Sequence, residues 1–259
     1  MDQAKYYICE SCMTPVPTGH KFCGRCGTNV PENELDPAAR YFSDMQDPAK
    51  ARLVLVRGEG MEGLSYHLKA SQHVVGRRGQ IEFPDDTFIS SRHANLFYRD
   101  GRLTVRDEGS ENGTYVRVHG STELSPGDTF VVGDQLLRVE PMPSSAEQAD
   151  AQGTYFYASP KFSSPFRVVQ IVEGGAAGLT VCSRGSRLEI GREGCDLNFR
   201  EDVHVSPKHC VVEQQGAKFT VTDLKSKNGV YVRVKTEQPL GHGDYLLIGR
   251  KLLRVELNA

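Results

Sequence analysis

Residues 112–118 read NGTYVRV, and residues 228–234 read NGVYVRV. An alignment built outward from these two stretches extends from residue 52 to residue 140 in the first half of the chain. The offset to the second half is 115 before a one-residue insertion and 116 after it. Agreement over about 90 positions indicates two copies of one domain.

Both copies have the pattern of a β protein. Short runs of branched and aromatic residues, such as LVLV at residues 53–56 and TFVV at residues 129–132, recur along each copy. Turn-forming residues separate these runs, and Asp100 followed by Gly101 is a strong hairpin signal. No segment has a helical period of useful length. Many short strands in a unit of about 90 residues predict an all-β fold, with one β-sandwich in each copy.

The repeat divides the 259-residue chain into consecutive regions. The expected order is a cysteine-rich module at 1–30, a linker at 31–50, a first sandwich at 51–141, a linker at 142–165 and a second sandwich at 166–259. The second linker is rich in Pro, Ser, Ala and Gln, which favours a flexible tether. This length suits two ordinary domains with small appendages.

Charge and hydropathy exclude several classes of protein. The formal net charge of -2 argues against bulk attraction to nucleic acid or to an anionic membrane. No stretch approaches the ~18 apolar residues of a membrane span. Residues 1–8 lack the basic start and apolar core of a secretory signal. We therefore expect a cytoplasmic protein.

Four of the seven cysteines form two CxxC pairs near the start of the chain, Cys9 with Cys12 and Cys23 with Cys26. Ten residues separate the pairs, so two tight turns present four thiolates to one tetrahedral site, which suits Zn²⁺. The spacing is similar to that of short zinc ribbons in bacterial regulatory proteins. A closed four-sulfur site is structural, because it has no position for a substrate. A redox dithiol pair is the alternative interpretation.

The residues that both copies share are concentrated in predicted loops, which favours binding over packing. The shared loop residues are Gly76, Arg77, Ser90, His93, Asp107, Ser110, Asn112 and Gly113 in the first copy, and Gly191, Arg192, Ser206, His209, Asp223, Ser226, Asn228 and Gly229 in the second. An arginine offers a planar fork of donors to a phosphate, and a serine hydroxyl completes the cradle. An asparagine amide can hold an extended peptide backbone.

This order of residues, GR, then SxxH, then SxNG, resembles the forkhead-associated (FHA) domain, over about residues 51–140 and 166–257. The resemblance implies an eleven-stranded β-sandwich whose loops at one end bind phosphothreonine peptides. It implies phosphate contacts from Arg77 and Arg192, supported by Ser90 and Ser206, and peptide main-chain contacts from Asn112 and Asn228. The glycines Gly76, Gly113, Gly191 and Gly229 and the histidines His93 and His209 would shape the loops.

The two copies depart from the family pattern in different ways. In the first copy Glu111 precedes the asparagine, and a carboxylate there would repel a dianionic phosphate. The second copy has Lys208 and Lys227, which favour a phosphate. We also assign Arg92 to the peptide-binding set, and we expect the second site to have the more favourable electrostatics.

The sequence therefore predicts a non-enzymatic signalling adaptor that binds phosphothreonine proteins, such as a Ser/Thr kinase or its substrates. Each copy contains Ser, His and Asp, but no nucleophile elbow or other catalytic motif accompanies them. One alternative is a degenerate FHA-type scaffold that binds a partner without phosphate. Another is a nucleic-acid-associated regulator, for which Lys5, Lys21 and Arg25 offer only a thin basic patch.

Overall fold

The computed structural model of the protein describes residues 6–17, 22–31, 51–58, 63–143, 149–159 and 163–257. All of the first linker after Pro31 lies outside these ranges, as do Lys5 and Lys21 of the proposed basic patch. The described chain is built from β-strands, with one 3-10 turn at Glu173–Gly175. The predicted all-β class is therefore confirmed. None of the described helical segments has the length and apolar character needed to cross a membrane.

The N-terminal module contains a small hairpin, in which β1 (Tyr6–Ile8) pairs with β2 (Pro15–Pro17). A single bridge between Phe22 and Asn29 closes a second turn. Among the described residues its core is a small cluster, in which Tyr7, Val16 and Val30 pack with one another and with the cysteines. So few apolar side chains supply little folding free energy to a segment of this size.

Within the described residues, each sequence copy contributes ten strands. Those of the first copy are β3 (Ala51–Arg57), β4 (Ser65–His67), β5 (Gln72–Gly76), β6 (Ile81–Glu82), β7 (Ala94–Arg99), β8 (Arg102–Asp107), β9 (Thr114–Arg117), β10 (Ser121–Leu124), β11 (Thr129–Val132) and β12 (Gln135–Pro141). Those of the second copy are β13 (Phe166–Ile171), β14 (Ala177–Cys182), β15 (Arg187–Gly191), β16 (Leu197–Asn198), β17 (Cys210–Gln215), β18 (Lys218–Asp223), β19 (Val230–Arg233), β20 (Glu237–Pro239), β21 (Tyr245–Ile248) and β22 (Lys251–Leu257).

The compact units of the structure are not the consecutive regions expected from the repeat. Unit 1 combines Met1–Val116 with Arg233–Ala259, and unit 2 is Arg117–Val232. Each copy therefore places its last three strands in the unit that contains the first strands of the other copy. The expected boundaries, 51–141 and 166–259, describe the sequence copies, whereas the folded units exchange their C-terminal thirds.

Unit 1 is a sandwich of two five-stranded layers. One layer has the order β9-β21-β22-β3-β4, and the other has the order β20-β8-β7-β5-β6. The exchanged strands pair antiparallel, with Leu246 opposite Val116 and Val255 opposite Leu53, and the register of β22 against β3 shifts between Leu252 and Leu253. The side chains of Leu246, Leu253 and Val255 are fully buried in the core between the layers. The second copy thus completes the core of the unit begun by the first.

Unit 2 has the same architecture. Its layers have the orders β14-β13-β12-β11-β19 and β10-β18-β17-β15-β16. Here Phe130 lies opposite Val232, and Val139 lies opposite Val168. The rings of Phe166 and Phe219 meet edge to face at 5.5 Å in the core. Such pairs add to the stability that burial of the rings provides.

The similarity of the two copies explains why the sequence does not predict the exchange. The alternation that buries Phe130, Leu137 and Val139 in unit 2 recurs in Leu246, Leu253 and Val255, which are buried in unit 1. Either hairpin therefore satisfies the pattern required by either core. When two units exchange equivalent hairpins, the contacts in each core stay almost the same. The hydrophobic pattern alone therefore does not distinguish the exchanged arrangement from the consecutive one.

The N-terminal module packs on the outer side of β5. Val75 faces the core of unit 1, so its neighbour Val74 faces outward, yet Val74 is buried against Ile8 and Met13. The second copy has Glu189 at the position equivalent to Val74. The apolar residue on the outer face of unit 1 is therefore explained by the module that covers it.

Candidate functional site

In unit 1, Gly76 brings two loops together. The backbone N–H groups of Arg77 and Arg78 donate hydrogen bonds to the carbonyl oxygens of Ser90 and Ser91, at 3.1 and 3.2 Å. A Cβ atom on Gly76 would lie 2.2 Å from the Ser91 carbonyl oxygen, so only glycine fits this approach. Arg77 consequently leaves the end of β5 directly beside Ser90.

His93 joins this pair of loops to the loop that follows β8. Its Nδ1 accepts a hydrogen bond from the Ser90 N–H at 3.0 Å, so Nε2 carries the proton and donates to the Gly113 carbonyl at 2.9 Å. The ring is completely buried, and burial lowers the pKa of His93. A neutral histidine with both nitrogens engaged acts here as a brace between loops.

The hydroxyl of Ser90 and the amide of Asn112 lie on the same loop cluster as Arg77. Ser90 Oγ accepts a hydrogen bond from the Glu111 N–H at 3.2 Å, and Asn112 Nδ2 donates to the Phe88 carbonyl at 2.9 Å. Arg77 and Asn112 are exposed, and Ser90 is half-buried. Arg77, Ser90 and Asn112 together are called the first recognition surface below.

Asp107 holds the loop that carries Asn112. Its carboxylate accepts hydrogen bonds from the Ser110 N–H, the Ser110 hydroxyl and the Thr114 hydroxyl, at 2.9, 2.7 and 2.8 Å. Ser110 Oγ in turn accepts the Gly113 N–H at 2.9 Å. Burial would raise the pKa of Asp107, but these hydrogen bonds outweigh it and hold the pKa below its usual value.

Unit 2 repeats this hydrogen-bonded frame with its own residues. Arg192 N–H donates to the Ser206 carbonyl at 2.9 Å, and Ser206 N–H donates to His209 Nδ1 at 3.0 Å. His209 Nε2 donates to the Gly229 carbonyl at 3.0 Å. Burial lowers the pKa of His209, as it does that of His93. A Cβ atom on Gly191 would lie 2.1 Å from the Pro207 carbonyl oxygen, so this glycine is also required.

The second recognition surface is Arg192, Ser206 and Asn228. Ser206 Oγ accepts a hydrogen bond from the Lys227 N–H at 3.1 Å, and Asn228 Nδ2 donates to the His204 carbonyl at 2.8 Å. In the described part of the chain, no hydrogen bond or ion pair engages the guanidinium of Arg77 or that of Arg192. Both surfaces therefore present a cation, a hydroxyl and an amide on one cluster of loops.

The other predicted binding residues differ in their surroundings. Arg92 pairs with Glu108 at 2.8 Å, and Lys208 lies 3.8 Å from Glu189, so internal carboxylates partly neutralise both cations. Lys227 is exposed beside Ser206, at the place that the exposed Glu111 occupies beside Ser90. The two surfaces thus carry opposite charges at this one position.

Two buried carboxylates beneath the surfaces were not predicted. Asp86 Oδ2 accepts the Arg250 N–H at 3.1 Å in unit 1, and Asp202 Oδ2 accepts the Asp134 N–H at 2.9 Å in unit 2. The recurrence of Asp86 and Asp202 at the repeat offset was a usable signal. The turns that these carboxylates bind could not be predicted. If each copy folded by itself, Asp86 would bind the turn at Asp134, and Asp202 would bind the turn at Arg250.

The four N-terminal cysteines converge on one point. All four Sγ atoms lie within 4.8 Å of one another, and two pairs, Cys9 with Cys26 and Cys12 with Cys23, are 3.5 Å apart. Zinc–sulfur bonds of about 2.3 Å in a tetrahedron place sulfurs about 3.8 Å apart, so the donor set fits Zn²⁺.

The two halves of the cysteine cluster have matching backbone geometry. Cys9 N–H donates to the Thr14 carbonyl at 3.1 Å, and Cys23 N–H donates to the Thr28 carbonyl at 2.8 Å. The hydroxyls of Thr14 and Thr28 contact the Sγ atoms of Cys12 and Cys26, at 3.3 and 3.1 Å. The Thr28 hydrogen bonds lower the pKa of Cys26 to about 6, whereas burial raises that of Cys9 to about 11.

Comparison with known proteins links these loops to a family. The FHA domain model matches residues 73–133 and 188–249. An oxoglutarate dehydrogenase inhibitor of Corynebacterium diphtheriae is 36% identical over 105 residues, which are 39% of this chain and 73% of that protein.

Two further similarities are more distant. The transcriptional regulatory protein EmbR of Mycobacterium tuberculosis is 25% identical over 131 residues, 48% of this chain and 34% of that protein. A solved structure described as a study of phosphothreonine-dependent FHA domain interactions aligns with 81% of this chain and 97% of its own, at 13% identity and a TM-score of 0.32.

Proposed function

Since this chain belongs to the FHA domain family, we propose that it is an adaptor that binds phosphothreonine peptides in a Ser/Thr kinase pathway. The observation that carries the proposal is the recurrence, in both units, of an arginine, exposed in unit 1 and half-buried in unit 2, beside a serine hydroxyl and an asparagine amide. One such cluster is a common loop feature; two with matching hydrogen-bonded frames support a shared binding role.

The chemistry of each surface suits a phosphorylated side chain. Arg77 and Arg192 each offer a charged, planar fork to phosphate oxygens, and Ser90 and Ser206 each retain a hydroxyl proton to donate. The asparagine amides are tied to the backbone of the neighbouring loop, so their orientation is fixed before a peptide arrives. Preorganised donors lose less entropy on binding.

Two surfaces on one chain favour a partner with more than one phosphothreonine. A charge-assisted hydrogen bond contributes about 1.5–3 kcal/mol, so removal of one arginine weakens its surface by roughly tenfold to a hundredfold. A partner that occupies both surfaces gains further affinity from the high effective concentration of the second site. The name of one relative, an oxoglutarate dehydrogenase inhibitor, agrees with a protein as the target.

We also propose that the N-terminal module is a zinc ribbon. Its four thiolates supply the ligands, and Zn²⁺ would contribute the folding free energy that its small core lacks. This role is structural, since four thiolates would fill the coordination sphere.

A phosphothreonine peptide library tests the proposed function. The library is captured with the unaltered chain, with Arg77→Ala and with Arg192→Ala. We expect selective capture of phosphorylated peptides, with each variant losing a different subset of them. Equal capture of phosphorylated and unphosphorylated peptides would instead favour a protein-interaction scaffold that does not depend on phosphate.

A further inference from the structure

Arg250 belongs to the second copy, but it lies beside the recognition loops of the first. Its N–H binds the buried carboxylate of Asp86 at 3.1 Å, and its Nε lies 3.7 Å from the other oxygen of that carboxylate. A Cβ atom on the preceding Gly249 would lie 2.4 Å from Ile89, and Gly249 has a φ of +55°. The turn between β21 and β22 is therefore fixed tightly against the loop that precedes Ser90.

Phe88 connects Arg250 with the first recognition surface. The Arg250 guanidinium lies 5.2 Å from the centroid of the Phe88 ring, and the Phe88 carbonyl accepts the hydrogen bond from Asn112. The Phe88 side chain is 42% exposed. A peptide whose backbone is held by Asn112 therefore passes a surface formed by an aromatic ring and an arginine from the other copy.

The equivalent turn in unit 2 carries the opposite charge. Asp134 N–H binds the buried carboxylate of Asp202 at 2.9 Å, and Asp134 Oδ2 lies 3.8 Å from His204 Nε2. The His204 carbonyl accepts the hydrogen bond from Asn228. In unit 2 the amide of Asn228 is therefore connected through His204 to Asp134, just as in unit 1 the amide of Asn112 is connected through Phe88 to Arg250.

The difference in charge is large for two related sites. In unit 1 the charges of Asp86 and Arg250 are opposite and cancel. In unit 2 Asp202 and Asp134 are both acidic, and the imidazole of His204 lies beside Asp134. At this side the surroundings of the second surface are thus about two charges more negative, whereas beside the serines the second surface has Lys227 in place of Glu111. A local difference of this size selects between ligands of opposite charge.

We propose that the exchanged residues Arg250 and Asp134 set the charge preference of the two recognition surfaces. The first surface then favours acidic residues flanking the phosphothreonine, and the second favours basic ones. This inference rests on the proposed function. It also depends on the exchange, because consecutive folding would place Asp134 beside Phe88 and Arg250 beside His204, and the preferences would be reversed.

Two chains isolate the surfaces for the test: Arg192→Ala retains the first, and Arg77→Ala retains the second. Each is titrated with two phosphothreonine peptides that carry either aspartates or lysines on both sides of the phosphothreonine and alanines elsewhere. In the Arg192→Ala chain we expect the aspartate peptide to bind about three- to fivefold tighter than the lysine peptide. In the Arg77→Ala chain we expect the opposite order.

Charge-reversing substitutions at Arg250 and Asp134 then test whether these residues cause the preference for aspartate or lysine peptides. Arg250→Asp is expected to invert the ratio at the first surface and to leave the second unchanged, and Asp134→Arg to do the reverse. The milder Arg250→Gln and Asp134→Asn, checked by their unfolding midpoints, should move the same ratios part of the way. An effect of Arg250→Asp confined to the second surface would contradict the exchange, and no effect at either surface would overturn the inference while the proposed function stood. Loss of phosphate dependence in the unaltered chain would overturn both.

Discussion

The two units of this protein share a hydrogen-bonded frame and differ in the charges and in the outer-face residues placed around it. In both units, a glycine at the end of a strand allows the arginine that follows it to lie beside the loop that contains the serine. A buried neutral histidine accepts a hydrogen bond from this loop and holds it in place. Around this frame Glu111 corresponds to Lys227, and Asp134 corresponds to Arg250. Duplication has kept the groups that would hold a phosphate and varied the charges that would choose between partners.

The outer face of the sandwich differs as well. Unit 1 presents Val74, which the N-terminal module covers, whereas the equivalent residue in unit 2, Glu189, pairs with Arg187 and Lys208. Unit 1 also buries His73, which has Leu188 as its counterpart in unit 2. These contrasts lead to predictions that distinguish one unit from the other.

The largest expected effect follows removal of the proposed zinc ion. A structural zinc site contributes on the order of 10 kcal/mol to the folding of a small module, so a strong chelator should unfold the N-terminal module. Hydrogen exchange should then become fast in β1 and β2. It should also rise in β5, because Val74 loses the cover of Ile8 and Met13, and stay unchanged in β15.

Cysteine variants supply the control for that experiment. Cys12→Ser should reproduce the effect of the chelator without any reagent, whereas Cys182→Ser, at an exposed cysteine outside the cluster, should leave β1, β2 and β5 protected. Metal analysis should give about one zinc ion per chain for the unaltered protein. Protection of β1 and β2 that survives metal removal would contradict a zinc-dependent module.

A smaller effect is expected from acid. Burial lowers the pKa of His73 to about 4, so between its unfolded pKa of about 6.5 and pH 4 the unfolded chain takes up a proton that the folded chain does not. Stability from this residue is thus present above pH 6.5 and is lost as the pH falls. The loss should reach about 2 kcal/mol at pH 5.

His73→Leu, which installs the residue of the second copy, should remove this loss. The free energy of unfolding, measured in urea at pH 7 and pH 5, should fall less for the variant than for the unaltered chain. The histidines His93 and His209 occur once in each unit and remain in both proteins, so they do not affect the comparison. An equal fall in the two proteins would show that His73 is not responsible.

The smallest expected effect concerns the charge beside each serine. Glu111→Lys should strengthen phosphopeptide binding at the first surface by about two- to fivefold, since an exposed charge pair contributes up to about 1 kcal/mol. Lys227→Glu should weaken the second surface by a similar factor. Isothermal titration at low and high salt checks both, because screening should reduce each difference. Salt-independent changes would point to altered loop structure instead.

Much of the fold could be predicted from the sequence because its signals are local. Alternating branched residues and turn residues such as Asp100 and Gly101 mark the strands, and both sandwiches contain them. The exchange of strands could not be predicted, because Leu137 and Leu253 satisfy equivalent positions in either core. A repeat shows which positions of the two copies are equivalent. It does not show which copy supplies the residue at a given place in each folded unit.

The same distinction applies to the candidate site. The arginine, serine and asparagine of each surface were found because they recur in fixed order within one copy. Their neighbours Arg250 and Asp134 come from the other copy, so no spacing in the sequence connects them with the site. The cover over Val74 was also missed, because packing of one module on another leaves no periodic pattern.

The most direct test of phosphate recognition at two surfaces is the stoichiometry of one phosphothreonine peptide, measured by isothermal titration. The unaltered chain should bind about two peptides, Arg77→Ala and Arg192→Ala about one each at the same concentrations, and the double variant none, since each arginine loss costs at least about tenfold. Binding of the unphosphorylated peptide with the same affinity and stoichiometry, or unchanged binding by the double variant, would contradict the account.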